Sequence, residues 1–158
     1  MDYLDDALPH RPPFRFIDRI LETSGDRLTA EYTPRPDDPF WSMVYSGHYP
    51  GTPVTPGVLL CEMAFQAGAA LLMPRLAAET GGAGLVPVVA RVREAKLRRM
   101  VRPGQKVAIE ARLLERLAGA YMLKGVLTVP EGEALRVEFT VAMAKPPEPQ
   151  AIKPPANG

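Results

Sequence analysis

Hydrophobic positions between Val58 and Met73 follow no amphipathic period, because nearly every residue there is apolar or small. Glu62 and Gln66 carry the only strongly polar side chains of this stretch. The preceding Thr55-Pro56-Gly57 is typical of a helix start, with threonine as the N-cap and proline at the first helical position. A helix that is apolar on all sides is covered by protein on several sides. The pattern therefore predicts one buried central helix that ends or kinks at Pro74.

The flanking segments alternate in the manner of strands. Ahead of the helix, residues 14–21 and 28–33 surround a turn at 24–27, which predicts a hairpin. After it, turn residues separate four further segments, at 85–97, 106–115, 120–129 and 134–144, which predicts four consecutive antiparallel strands in a meander. These elements predict an α+β fold, with an antiparallel β-sheet wrapped around one long central helix. One sheet cannot cover every side of that helix, so we expect a second subunit to cover the rest.

Length and composition fit one soluble domain. The 158 residues suffice for a single core, which we place at residues 1–145, followed by a Pro-rich tail, 146–158, predicted to be disordered. The acidic N-terminus does not resemble a signal peptide, and the apolar run is shorter than the roughly 20 residues that cross a bilayer. We therefore expect a cytoplasmic protein without membrane insertion. A net charge of +1 gives no broad electrostatic reason to expect nucleic acid binding.

The paired polar residues of the helix are the first candidates for chemistry. Glu62 and Gln66 are four residues apart, so they share one helix face and can hydrogen-bond. A carboxylate in a core is costly, and burial favours its protonated form, which a general acid needs. The alternative is a structural glutamate that is satisfied by Gln66 or by a loop N–H.

His48 lies in a loop stiffened by proline and glycine, eight residues before the helix start. Its side chain could return to the first turn of the helix, where the free N–H groups of Gly57 and Val58 carry partial positive charge. A base, an acid and an oxyanion site would then meet in one pocket. The alternative is an exposed or structurally bonded histidine.

Other polar residues are weaker candidates. Cys61 and Glu62 are about 100° apart on a helix and cannot both face His48, so we interpret Cys61 as a small core residue. His10 is interpreted as a structural cap within the Pro-rich lead-in, and the two histidines give no zinc-ligand spacing. A cationic cluster is either a solvated strand face or a docking patch for an acidic partner; its members are Arg91, Arg93, Lys96, Arg98, Arg99 and Arg102.

Several short motifs, taken together and in order, resemble a known family. The string GHYPGTPVTPGVLLCEMAFQAG, with LPHRPPFRFIDRI before it and REAKLRRMVRPGQ after it, resembles the FabZ-type 3-hydroxyacyl-(acyl carrier protein) dehydratases of fatty acid synthesis. The resemblance implies a hot-dog fold that pairs as a homodimer with a continuous sheet, often assembled further into a trimer of dimers. It also implies loss of water from a (3R)-3-hydroxyacyl thioester to give the trans-2-enoyl thioester, without metal or organic cofactor.

Site residues carry over by motif position. His48 and Glu62 would be the catalytic pair, contributed by opposite subunits, and the Gly57 N–H would bind the thioester carbonyl, with Gln66 in support. The acyl chain would lie in an apolar tunnel, and the phosphopantetheine-bearing acyl carrier protein would dock on basic residues, here Arg93, Lys96, Arg98, Arg99 and Arg102.

The sequence also departs from the family pattern. Tyr49 replaces the usual phenylalanine, Phe65 stands where a small residue is common, Arg93 falls where an acidic residue is common, and the 34–45 loop is longer. Phe65 and the loop leave chain-length preference open. Alternatives on the same fold are an acyl thioesterase and a non-catalytic acyl-thioester-binding protein.

Overall fold

The long helix predicted around Glu62 is the centre of the fold. The computed structural model describes residues 3–80 and 84–148, the side chains of Tyr3 and Thr80 excepted. Helix α1 spans Tyr3–Ala7, helix α2 Pro39–Gly47 and helix α3 Gly57–Thr80; strands β1 to β6 span Arg19–Ser24, Arg27–Tyr32, Val86–Leu97, Val107–Leu117, Ala120–Val129 and Gly132–Ala144. The predicted α+β hot-dog arrangement, one helix against an antiparallel sheet, is confirmed.

Helix α3 is a core helix along most of its length. Met63, Ala64, Ala67 and Leu72 are completely buried. The helix continues through Pro74 to Thr80, so the prediction that it could end at that proline is wrong. By length and composition it could cross a membrane, but 56% of its most apolar window is buried inside the protein, as in the core helix of a soluble fold.

The sheet reaches very close to this helix. Its strand order is β1-β2-β4-β5-β6-β3, with every neighbouring pair antiparallel. At the β5 position Gly125, an added Cβ would lie 2.6 Å from the Cβ of Ala64 on α3. Real Cβ atoms do not approach so closely, so the glycine is what allows the strand to pack directly on the helix.

Two strand predictions need correction. The meander holds for β4, β5 and β6, but β3 pairs with β6 at the far edge and β4 pairs with β2. The reason lies in the β3–β4 connection, where Val101 O accepts from Thr55 N–H at 2.8 Å and Gly104 N–H donates to Pro34 O at 2.8 Å. A segment bound in this way to distant parts of the chain cannot close a hairpin turn.

The first strand also begins later than predicted, at Arg19 and not at Phe14. The backbone of Phe14 and Phe16 is engaged by the side chain of Gln66 from α3: Phe16 N–H donates to Oε1 at 2.7 Å, and Phe14 O accepts from Nε2 at 3.0 Å. These backbone groups are therefore not available to a sheet ladder.

The aromatic stretch after the Pro-rich loop forms helix α2, which the sequence interpretation left without a defined element. Asp38 caps it by accepting the N–H of Phe40 at 2.9 Å. The buried Trp41 donates its indole N–H to the hydroxyl of Tyr32 at 2.6 Å, and burial raises the pKa of Tyr32 to about 12.

The last turn of α2 is linked to the segment just before α3, because the hydroxyls of Tyr45 and Thr55 hydrogen-bond at 2.8 Å. Helix α2 thus holds its C-terminal end, where His48 follows, in a fixed place.

Strand β3 is an open edge of the sheet. It pairs with β6 on one side, and Val88, Val89, Val92 and Leu97 are all at least 40% exposed. Exposed apolar edge strands are uncommon in monomeric proteins because they invite pairing with another chain. Of the predicted disordered tail, residues 149–158 lie outside the described residues.

Candidate active site

His48 is the C-cap residue of helix α2. Its backbone N–H donates to Val44 O at 2.9 Å, and its half-buried ring meets the exposed Tyr49 ring edge-on at a centroid distance of 4.8 Å. Tyr49 has a φ of 56°, and Gly51 has a φ of 88°. The left-handed geometry at both positions turns the chain sharply after His48 and sends it back towards α3.

Gly57 is the first residue of α3, one position later than the predicted start, so Pro56 takes the N-cap position. Among the described residues, no acceptor binds the N–H groups of Gly57 and Val58. These two amides are the free donors of a helix N-terminus, where they carry partial positive charge. Thr55 does not act as the predicted N-cap, since its hydroxyl bonds to Tyr45.

His48 and Gly57 share one cavity of about 300 Å³. Leu60 and Leu97 form part of its apolar lining, and Arg98 and Arg99 form part of its polar side. The His48 ring and the first residue of α3, whose amide is unbound, therefore line the same space.

Glu62 lies further along α3 and is held by Gln66. The fully buried Gln66 donates from Nε2 to Glu62 Oε1 at 3.0 Å, in addition to its two bonds with the lead-in backbone. Within the described part of the chain, no hydrogen bond reaches Glu62 Oε2. The carboxyl is only partly buried, with 22% of its side chain exposed, which is less burial than its apolar surroundings in the sequence suggested.

His10 is a neighbour of Glu62 that the sequence interpretation assigned to another role. Its side chain caps no described helix; its Nε2 lies 3.5 Å from Glu62 Oε1. Burial of the ring lowers the pKa of His10, against the opposing attraction of Glu62. The available signal was the proline-rich lead-in itself, since prolines on both sides of His10 limit the positions its ring can take.

Glu62 and His10 line a second cavity of about 380 Å³, separate from the one at His48. Its other walls are apolar: Phe65, Ala69, Pro87, Val88, Val89 and Val141. Phe65 packs edge-on against Phe139 at a centroid distance of 4.8 Å. In one protomer the structure therefore brings His48 together with Gly57 and Glu62 together with Gln66, but it places the two pairs in different cavities.

Strand β3 connects these cavities, because Val88 and Val89 line the second and Leu97, at its other end, lines the first. The strand is also one of the two edges of the sheet, β1 being the other. A second copy paired along this edge would lie beside both half-sites.

The cationic cluster divides between cavity and surface. Arg98, Arg99 and Arg102 line a third cavity of about 520 Å³ that shares Val54, Arg98, Arg99 and Met100 with the cavity of His48. Arg98 is paired with Glu133 at 2.8 Å. Arg93 and Lys96 lie on the exposed β3 strand and line neither cavity, and Lys96 pairs with Glu94 at 3.0 Å.

Cys61 is half-buried against the core, and burial raises the pKa of its thiol. A thiol in that state is a poor nucleophile. Within residues 3–80 and 84–148, no three His, Cys, Asp or Glu side chains are grouped so as to hold a metal ion.

Comparisons with known proteins match most of the chain. A family model described as the FabA-like domain matches residues 8–138. The curated 3-hydroxyacyl-(acyl-carrier-protein) dehydratase FabZ of Symbiobacterium thermophilum is 36% identical over 140 residues, covering 88% of this chain and 92% of that protein. The protein of the same name from Enterococcus faecalis is 36% identical over 140 residues, covering 87% and 92%.

Among solved structures, the dehydratase heterocomplex ApeI:P from Xenorhabdus doucetiae superposes with a TM-score of 0.72, at 17% identity, over 92% of this chain and 91% of that one. At that identity the likeness concerns the fold.

Proposed function

This chain belongs to the FabA-like domain family, and from that premise we propose that it dehydrates (3R)-3-hydroxyacyl-(acyl carrier protein) to the trans-2-enoyl thioester in fatty acid or related lipid biosynthesis. The observation that carries the proposal is the shared cavity of His48 and the unbound Gly57 amide. A base beside an oxyanion site is what removal of a proton next to a thioester carbonyl requires.

The reaction begins at the carbonyl. Gly57 N–H donates to the thioester oxygen, which takes on negative charge as the imidazole of His48 removes the C2 proton. The partial positive charge at the N-terminus of α3 also stabilises this negative charge on the thioester oxygen. Because the thioester itself acidifies C2, the step needs neither a metal nor an organic cofactor.

Glu62 completes the reaction from the other side of the bound acyl chain. Its carboxyl gives a proton to the 3-hydroxyl, the C3–O bond breaks, the C2–C3 double bond forms and water leaves. His48 is then protonated and Glu62 deprotonated, and transfer of that proton restores the starting state.

The two half-sites come from two subunits. Because His48 and Glu62 line different cavities in one protomer, a complete site needs Glu62 of the partner subunit, delivered by pairing along the open edge of β3. The assembly is a homodimer, with a trimer of dimers as its larger form. Light scattering at several protein concentrations tests this, and a monomer at all of them would contradict the shared site.

The acyl carrier protein docks beside the cavity of His48. Arg99 and Arg102 line the adjoining cavity without a described ion-pair partner, so their charge is available to the phosphate of the phosphopantetheine arm or to acidic carrier residues. The acyl chain lies in the apolar cavity of Phe65 and Val88. A cytoplasmic location fits a carrier-bound substrate and a central helix that is covered by its own sheet.

The decisive experiment follows the enoyl absorbance with carrier-bound C4 to C16 substrates in both directions, for the wild type, His48→Ala and Glu62→Gln. We expect wild-type conversion and a loss of at least about a hundredfold in each variant, the usual scale for removing a general acid or base. Free thiol is measured in the same reactions. Thiol release without any enoyl change would identify a thioesterase, and an inert wild type would leave acyl-thioester binding without catalysis.

A further inference from the structure

Glu62 is held from one side only. Gln66 Nε2 donates to its Oε1 at 3.0 Å, and His10 Nε2 lies 3.5 Å from the same oxygen. We propose that His10 is a positioning residue for Glu62, which with Gln66 fixes Oε1 and leaves Oε2 free for the substrate hydroxyl. This inference rests on the proposed dehydration, in which Glu62 is the acid.

The backbone around His10 is built to hold the ring in place. Leu8 is buried, and the Arg11 guanidinium donates to Leu8 O at 2.6 Å, to His10 O at 2.9 Å and to Asp5 O at 3.0 Å. The Arg11 side chain thus ties the residues between Asp5 and Arg11 together. The His10 ring is 30% exposed, and its Nδ1 is buried.

In the cavity that His10 lines, Glu62 is the other polar residue. The rest of the cavity lining is apolar, and Glu62 is the charged group that acts on the imidazole. His10 Nδ1 is buried and, within the described residues, has no hydrogen-bond partner. Burying an unpaired polar atom costs free energy, so a residue chosen for packing alone would be better served by an apolar side chain. The imidazole is present in spite of this cost, with its Nε2 3.5 Å from Glu62 Oε1.

A neutral ring suits this position. Burial lowers the pKa of His10, which favours the uncharged imidazole. A neutral Nε2–H, 3.5 Å from Oε1, needs only a small shift to hydrogen-bond to it and places no full positive charge beside the carboxyl. A neutral His10 therefore orients Glu62 without adding a full charge beside it.

Three substitutions test the role. His10→Gln places an amide nitrogen near the position of Nε2, His10→Asn places one near Nδ1, and His10→Leu fills the space without a donor. Because small displacements of a reacting group slow catalysis strongly, we expect His10→Leu and His10→Asn to lower kcat about tenfold or more, with KM changed by less than about twofold. We expect His10→Gln to keep most of the wild-type kcat.

The readout separates positioning from packing. Equal kcat in the Gln and Asn variants, or wild-type kcat in His10→Leu, would overturn the proposal. If His10→Leu does not fold, the Gln and Asn pair decides alone. Thermal unfolding is measured for each variant. If the loss of kcat follows the loss of stability across the variants, the positioning role of His10 is also contradicted.

A double variant tests the link to Glu62. If His10 acts through Glu62, His10→Leu should cause no further loss once Glu62→Gln is present, whereas independent roles would multiply the losses. The proposed function fails separately: an inert wild type, or a fully active Glu62→Gln, would overturn the dehydration mechanism. An inactive Glu62→Gln beside a fully active His10→Leu would overturn only the role of His10.

Discussion

Gly57 and Leu97 are in contact so close that a Cβ added to the glycine would lie 2.7 Å from Leu97 Cδ1. The first residue of the central helix is thereby pressed against the last residue of the edge strand. The same contact forms a wall of the cavity at His48. A side chain at position 57 would have to displace the Leu97 side chain, which is 56% exposed and can move.

Gly57→Ala should destabilise the protein by less than about 1 kcal/mol, below the usual cost of overpacking in a core, because the exposed Leu97 side chain can turn away. Thermal unfolding measures this. Gly57→Ala combined with Leu97→Ala removes the clash and should regain part of the loss. If the single and double variants unfold at the same temperature, the contact is not what restricts position 57.

Mixed subunits provide a direct test of the divided site. A dimer that combines His48→Ala and Glu62→Gln chains has one intact site, made of His48 from one chain and Glu62 from the other. Random mixing on co-expression should therefore restore about a quarter of wild-type activity, since half of the dimers are mixed and each has one of two sites intact. Absence of any recovery in proven mixed dimers would place the complete site within one chain.

Arg99 and Arg102 should affect carrier recognition more than chemistry. Replacing both with alanine is expected to raise KM for carrier-bound substrate about two- to tenfold at low salt, with kcat little changed, because exposed charges steer association. The effect should shrink as salt screens the charges. Arg112→Ala, on strand β4 and outside these cavities, is the matched control. An equal effect in the control would contradict a specific docking surface.

Phe65 should limit the length of the acyl chain. Its ring lines the cavity of Glu62 and packs on Phe139, so Phe65→Ala opens space next to the reacting carboxyl. We expect kcat/KM to rise for C12–C16 substrates relative to C4–C6, while stability falls by roughly 2 kcal/mol, less than for a fully buried phenylalanine. Phe65→Leu, a smaller change, should lie between. An unchanged chain-length profile would mean that the acyl chain lies elsewhere.

Tyr32 makes the fold sensitive to alkaline pH. Burial raises its pKa in the folded protein from 10.0 to about 12. Its contribution to stability is therefore complete below pH 10 and is lost as the pH rises towards 12, because the unfolded chain releases the proton first. Tyr32→Phe removes this proton and should flatten the fall in unfolding free energy between pH 9 and 12, measured with denaturant. Parallel curves for both proteins would contradict this role.

The sequence predicted the elements better than their pairing. The uniform apolar character of Val58–Met73 predicted a covered helix, and alternation between turn residues predicted the strands from Val107 to Ala144. The position of β3 at the opposite edge is decided by backbone bonds at Val101 and Gly104 to Thr55 and Pro34. No local pattern encodes bonds between residues so far apart.

For the candidate site too, the sequence predicted residues but not all of their contacts. Family motifs and the helix start pointed to His48, Gly57 and Glu62, and the roles given to them remain predictions. The contact of His10 with Glu62 depends on how residues 8–16 dock on Gln66, which local sequence does not express. The sequence around His10 is compatible with a cap, and only the tertiary structure places its ring beside Glu62.

The one-sided bonding of Glu62 has a stereochemical consequence. With Oε1 engaged and Oε2 free, the acid faces a bound chain from a single direction. In the proposed reaction, a 3-hydroxyl of one configuration would project towards that oxygen and its mirror image would project away from it. The choice between the two enantiomers of the substrate would then depend on Gln66 and His10, the two side chains beside the other oxygen.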